Sequence, residues 1–352
     1  MPLPPPSPHR APRPARGGLG RRAGAALGLA AVTVLGLSAC GTAASDAAGD
    51  GRIQVVASTN VWGSVATAVA GEHADVTALI DEPSADPHSY EASPRDAAAL
   101  TDADLVVHNG GGYDEFIDDI LAALPDKPAV TAVDLLGIES DLHAGDDHAG
   151  HDTAAPADDT EAGDGHGHSH GGSNEHVWFD VPTVDSVAHR VATELAALDP
   201  ANAAAYTANA DAFHGKLHSV ADVTAGIAAR HPGTAIAQTE PIAHYLLAAA
   251  GLRDETPADF TRAIEEGNDP PPAAIAATRD LLAGKKVSVL VYNGQTEDKV
   301  TRSIREVAEA AGIPVVEVTE TLPDGIDYVQ WQIGTAERLA QALDGAAAAP
   351  AA

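Results

Sequence analysis

The sequence predicts an α/β protein with two lobes, each built from a mainly parallel sheet flanked by helices. Short apolar runs typical of buried strands alternate with helical patterns in both halves of the 352-residue chain. One unbroken amphipathic segment, 200–230, separates the two halves and is long enough to link them as a helix. Aromatic residues make up only 4% of the chain, so small aliphatic residues must fill both cores.

The N-terminal 51 residues have the features of an export signal and a tether. Arg21 and Arg22 precede an apolar run, 23–37, that ends in Leu-Ser-Ala-Cys at Cys40, similar to the bacterial lipobox. We therefore predict a lipoprotein signal peptide over 1–40, lipidation of Cys40, a flexible tether over 41–51, and an extracytoplasmic protein anchored by lipid to the plasma membrane. Because Cys40 is the only cysteine, any metal site must use histidine and oxygen ligands.

The predicted N-terminal lobe spans 52–199 and shows the first strand–helix alternation. Buried strands are expected at 53–57, 75–80 and 104–108. Helices are expected at 61–70, at 93–100 with Ser93 as the N-cap, and at 182–198. This lobe also contains the segment 141–173, where apolar periodicity is lost. That segment is predicted to be a disordered metal-capturing loop, and its histidines are His143, His148, His151, His166, His168 and His170.

The predicted linking helix, 200–231, leads into a C-terminal lobe over 232–346, followed by a disordered tail over 347–352. Strands are expected at 234–238, 287–291 and 314–318. Helices are expected at 241–250, 272–283, 297–311 and 335–343. The second half therefore repeats the alternation of the first.

The formal charge of −31 excludes one class of partner. All five basic residues before Cys40 lie in a segment without acids, so the remainder is more acidic still. Such a surface repels nucleic acid. It is consistent either with a highly soluble secreted protein or with one that concentrates cations.

Four residues able to ligate a metal lie where ligands gather in open α/β sheets, beyond the carboxyl ends of strands. His88 follows the second predicted strand, while Glu240 and Glu320 each come two residues after a strand of the second half. His176 begins the ordered segment after the His-rich loop. Two imidazoles and two carboxylates suit zinc, manganese or iron(II).

Three phrases give the chain a specific resemblance over about 51–346. Asp86-Pro87-His88-Ser89-Tyr90-Glu91-Ala92-Ser93-Pro94 resembles the DPHxYEPSP signature of the zinc/manganese solute-binding proteins of ABC importers, the cluster A-I family. The segment 174–180 is similar to that family's second histidine motif, with Glu175 where the family has proline, and 109–113 is similar to its NGxGxE turn.

The resemblance implies a monomeric metal receptor whose lobes are joined by one long rigid helix. It implies His88, His176, Glu240 and Glu320 as ligands, although the family usually has Asp at the position of Glu320. Asn293 and Gln295 are expected to support the ligand carboxylates. The implied partners are a divalent metal and an ABC importer permease in the membrane.

The sequence favours zinc as cargo and leaves alternatives open. The His-rich loop favours zinc, whereas Glu240 resembles the manganese branch and carboxylates suit harder ions, so a manganese- or iron-specific receptor is the alternative. A secreted zinc hydrolase and a metal-storing surface adhesin are more remote. A non-enzyme is predicted, because no His-Glu-x-x-His helix is present and four ligands would fill a zinc shell.

Overall fold

The computed structural model describes residues 52–85, 87–137 and 174–348. Its first sheet contains four parallel strands in the order β2-β1-β3-β4. These are β1 (Ile53–Thr59), β2 (Ala74–Ile80), β3 (Leu105–His108) and β4 (Ala129–Thr131). The central strands are apolar on both faces, as a sheet covered by helices on both sides requires.

The helices of the first half are α1 (Asn60–Ala70), α2 (Pro94–Asp102), α3 (Glu115–Ala122) and α4 (Val181–Leu198). Helix α2 begins with a capping box in which Ser93 and Asp96 satisfy each other's backbone N–H groups. The predicted cap at Ser93 is therefore present, five residues after His88.

The second sheet repeats the first, with parallel strands in the order β6-β5-β7-β8. Its strands are β5 (Ala235–Gln238), β6 (Arg253–Asp254), β7 (Leu290–Asn293) and β8 (Val315–Val318). Its helices are α6 (His244–Ala249), α7 (Ala258–Glu265), α8 (Pro272–Ala283) and α9 (Lys299–Ala311).

Helix α5 (Ala203–Arg230) links the two sheets after a 3-10 turn at Pro200–Asn202. Its buried side recurs at helical spacing through Tyr206, Phe213, Leu217 and Ile227, and it packs against α1, α4 and α10 (Tyr328–Ala348). The predicted fold class, two mainly parallel α/β lobes with one long linking helix, is confirmed.

The last helix, α10, joins the two halves more closely than a single linking helix would. The Tyr328 hydroxyl donates to the carbonyl of Trp178 at 2.7 Å, and Gln332 Nε2 donates to the same oxygen at 3.0 Å. One continuous apolar cluster includes strand residues of both sheets, such as Val55 and Val291. Among the described residues, no helix combines the length and apolar character that a membrane span needs.

Several boundaries differ from those predicted. Strand β7 begins at Leu290 rather than 287, because the turn after α8 contains Lys285 at φ 51° and strand pairing starts only beyond it. Helix α10 begins at Tyr328, seven residues earlier than predicted, and continues through Ala348 into the predicted tail. Helices α3 and α7 and strands β4 and β6 were missed, because none has more than eight residues and a helical period is read over a longer window.

Candidate metal centre

The candidate metal centre lies at the carboxyl ends of the parallel strands. In the second sheet the strand order reverses between β5 and β7, which is where open α/β sheets form a crevice. Glu240 follows β5, and Asn293 is the last residue of β7. Glu320 follows the neighbouring strand β8, so the chain brings two carboxylates and an amide to one edge.

A glycine turn after β3 forms one wall beside His88. Gly110 has a φ of 72°, and a Cβ added there would lie 2.4 Å from Cγ2 of Thr131, so only glycine fits. The Asp114 carboxylate accepts hydrogen bonds from two backbone N–H groups of this turn, each at 2.7 Å. The turn presents Tyr113, whose ring packs edge-on against the His88 ring at 5.2 Å between centroids.

His88 and Glu320 meet across the two lobes. His88 Nε2 lies 3.3 Å from Oε2 of Glu320, whose side chain is fully buried. Burial alone would lower the pKa of His88, but its hydrogen bond with Glu320 and that residue's charge outweigh burial and raise the pKa to about 10. Burial alone would raise the pKa of Glu320, yet the same contact lowers it. Without a bound metal, the pair is an imidazolium–carboxylate ion pair at neutral pH.

The His176 ring is neutral, in contrast to the protonated His88 ring. Its side chain is fully buried, and burial lowers its pKa to about 3, so the ring is neutral. The ring atom Nδ1 lies 3.1 Å from Oδ1 of Asn174, an acceptor, which places the proton on Nδ1. Among the described residues, Nε2 of His176 has no hydrogen-bond partner. That atom is therefore a buried lone pair, as a metal ligand requires.

The segment before His176 is fixed from both lobes. Asn109 Nδ2, after β3, donates to the carbonyl of Glu175 at 2.8 Å. From the second lobe, the Tyr245 hydroxyl donates to the carbonyl of Asn174 at 2.7 Å, and the Asn174 amide donates to the Pro241 carbonyl at 2.8 Å. These bonds hold the segment in place although the family's proline is absent.

Asn293 connects the two buried carboxylates. Its Nδ2 donates to Oε1 of Glu320 at 2.7 Å and also to Oε1 of Glu240. The Thr296 hydroxyl donates to the other oxygen of Glu240 at 2.9 Å. Burial, with the nearby charge of Glu320, raises the pKa of Glu240 to about 8. Two carboxylates this close favour a cation or a proton between them.

Gln295 supports the loop after β8. Its amide nitrogen donates to the Ala85 carbonyl at 2.7 Å and to the Thr321 hydroxyl at 2.8 Å, and its amide oxygen accepts from the backbone N–H of Glu320. Both ends of this amide are engaged. Gln295 therefore holds Glu320 through the backbone and has no amide atom left to replace it as a ligand.

Two carboxylates beside the site were not predicted. His88, Glu175 and His176 offer ligand atoms that all lie within 4.8 Å of one another, and Glu175 Oε1 is 3.5 Å from His88 Nδ1. Glu265, in α7, has Oε1 3.8 Å from Nδ1 of His176, and burial raises its pKa to about 7. The sequence could have identified Glu175 as a candidate ligand, because it directly precedes His176. It could not identify Glu265, because the helix that carries it was not predicted.

A cleft of about 550 Å³ borders the centre. Its lining includes His88, Gln295 and Thr296 and several acidic residues, Glu265, Glu266, Asp269, Glu297 and Asp298. This negative lining attracts cations towards the buried groups. The six loop histidines, His143 to His170, and Cys40 lie outside the described residues.

A family model described as "ZnuA: Zinc-uptake complex component A periplasmic" matches residues 55–342. The chain belongs to this family. The description is of an uptake component, which agrees with the prediction of a non-enzyme.

The manganese-binding lipoprotein MntA of Halalkalibacterium halodurans is 27% identical over 161 residues, covering 46% of this chain and 45% of that protein. The chain thus spans about half the length of the curated relatives it matches.

Solved structures share the fold. The periplasmic zinc-binding protein TroA from Treponema pallidum superposes with a TM-score of 0.66 at 17% identity, over 83% of this chain and 99% of that chain. The SBP FpvC from Pseudomonas aeruginosa in complex with Mn²⁺ gives 0.64 at 21% identity, over 84% and 99%. At these identities the comparison supports the fold alone.

Proposed function

We propose that this protein is the extracytoplasmic receptor of an ABC importer and binds one divalent transition metal, with zinc preferred, between its lobes. The proposed ligands are His88, His176, Glu240 and Glu320. The observation that carries the proposal is the buried, unprotonated Nε2 of His176, which has no hydrogen-bond partner in the described chain and belongs to a ring that packs near His88. A metal ion satisfies that lone pair and neutralises the carboxylates opposite it.

Metal binding replaces the positive charge on His88 by that of the metal ion. Before a metal binds, the proton on His88 balances part of the charge of Glu320 and Glu175. A divalent cation takes over that role and displaces the proton. Because His88 belongs to the first lobe and Glu320 to the second, the ion is expected to bridge the lobes. A receptor can signal occupancy to a permease through such a bridge.

A manganese- or iron-selective receptor is the second candidate, and a specific observation favours it. Glu175 adds a third carboxylate within reach of the two imidazoles, and hard cations prefer oxygen ligands. The curated relative named above is a manganese-binding protein. The two imidazoles and the His-rich segment 141–173 favour zinc as the cargo instead.

Elemental analysis of the protein purified from its own membrane tests the function. We expect one tightly held transition metal per chain after dialysis against a weak chelator, and loss of that metal in His176→Ala. Many comparable metals per chain would indicate a storage protein. Metal-dependent hydrolysis that is lost in His88→Ala would indicate an enzyme. Release of Cys40→Ala from the membrane would support the proposed lipid anchor, while unchanged cleavage and retention would contradict it.

A further inference from the structure

A second group of histidine and aspartate side chains lies on the paired helices α4 and α5, outside the proposed transport site. Asp185 and His189 are one turn apart on α4, and Asp211, His214 and His218 recur at helical spacing on α5. Asp185 is buried, with 4% of its side chain exposed, whereas His189 is 44% exposed. The Asp185 carboxylate lies within ion-pair distance of two imidazoles, those of His189 and His214.

Asp185 fixes the proton position on both rings. Its carboxylate Oδ1 lies 3.1 Å from Nδ1 of His214. Its backbone carbonyl lies 2.9 Å from Nδ1 of His189. A carbonyl and an ionised carboxylate only accept hydrogen bonds, so both Nδ1 atoms donate. In the neutral form of each ring the lone pair therefore lies on Nε2, which is how a carboxylate or carbonyl prepares a histidine that binds zinc.

The lone pair of His189 faces another acceptor. Nε2 of His189 lies 3.6 Å from Oδ1 of Asp211 on the neighbouring helix. Two acceptors at this distance repel each other unless a cation or a proton lies between them. The His214 ring is 6.2 Å from that of His189 between centroids, and His218 packs edge-on against His214 at 4.9 Å.

We infer that the α4–α5 hairpin carries a second metal site, in which Nε2 of His189, Nε2 of His214 and Oδ1 of Asp211 bind a divalent transition metal such as zinc. These three atoms do not yet lie within 4.8 Å of one another. The ion closes the set through shifts of the exposed Asp211 and half-exposed His189 side chains that keep Nδ1 of His189 on the Asp185 carbonyl, and His218 or water supplies the fourth ligand. Such an ion would pin α5, the helix between the lobes, to α4.

Histidine modification tests this site directly. The mature protein is treated with diethyl pyrocarbonate, with and without zinc chloride, and each histidine is quantified by peptide mass spectrometry. At zinc about ten times above Kd only about a tenth of the sites stays free, so modification of His189 and His214 should slow about tenfold. His73, which packs on Tyr206 near the N-terminal end of α5 and is not one of the proposed ligands, is the internal control and should be unaffected.

Two variants separate this site from the transport site. Protection of His214 should disappear in Asp211→Asn, whose side chain is 68% exposed and which should fold normally. Protection should persist in the double variant His88→Ala, His176→Ala, where the transport site is destroyed. Equal modification rates with and without zinc, or protection that survives Asp211→Asn, would show that the cluster is only a hydrogen-bond network between two helices.

Discussion

His88 Nε2 lies 3.3 Å from Oε2 of Glu320, and the two residues come from different lobes. The contact raises the pKa of His88 to about 10, against the opposing effect of burial. The pKa of Glu240 is also raised, to about 8, chiefly because its side chain is buried. At neutral pH both groups therefore hold a proton that a metal bound at the proposed site would displace.

Zinc binding at pH 7 is expected to release about two protons, one from His88 and one from Glu240. Calorimetric titration in buffers with different heats of ionisation measures this number from the slope of the apparent enthalpy. His88→Gln should release about one proton fewer than the wild-type protein, since the proton held by His88 is then missing. An enthalpy independent of the buffer would contradict the protonation states described above.

The stability of the metal-free protein should depend on pH in the opposite direction to its zinc affinity. The pKa of His88 is raised from 6.5 to about 10, so its stabilising contribution is complete below pH 6.5 and is lost as the pH rises towards 10. Zinc affinity should increase over the same window, because the competing proton leaves. Thermal unfolding across this range, with and without zinc, compares the two trends, and parallel trends would refute the model.

Asn293→Ala should destabilise the metal-free protein by about 2–3 kcal/mol, because two buried carboxylates lose a shared hydrogen-bond donor. The loss should be smaller with zinc bound, since the ion neutralises both carboxylates. Urea unfolding with and without zinc measures both values. Asn202→Ala, at the start of the linking helix and outside the site, is the matched control. Equal losses in the two states would mean that Asn293 does not act through Glu240 and Glu320.

Much of this arrangement follows from local patterns in the chain. The β–α alternation predicted two parallel sheets, and residues placed just after strands meet because parallel strands end at one edge. The sequence could not show that Asn293 bridges Glu240 and Glu320, because that depends on strand order. Nor could it show Glu265, since α7 has only eight residues and a helical period is read over a longer window.

Glu175→Gln should lower manganese affinity more than zinc affinity, by about tenfold, because manganese depends more on carboxylate oxygen. Competition titrations with each metal give the ratio. Glu266→Gln removes an exposed acid from the same cleft and serves as the control for a general loss of negative charge. An equal effect of both substitutions would assign Glu175 to electrostatic attraction rather than to metal selection.

Replacement of 141–173 by a short Gly-Ser linker should leave cooperative unfolding intact, because the described lobes form their core without it. The tight metal site should remain, and the weaker sites contributed by the loop histidines should disappear. Calorimetric titration with zinc counts both classes. Loss of the tight site, or of cooperative unfolding, would show that the loop belongs to the folded receptor.

The most direct test of the central claim is the zinc affinity of single-site variants, measured by competition with a chromophoric chelator. The variants are His88→Ala, His176→Ala, Glu240→Ala and Glu320→Ala, with His73→Ala as a histidine control outside the site. Each ligand variant should lose more than the 10- to 100-fold that removal of an outer hydrogen-bond partner typically causes, while the control keeps wild-type affinity. Wild-type affinity in both His88→Ala and Glu240→Ala would contradict a metal site shared by the two lobes.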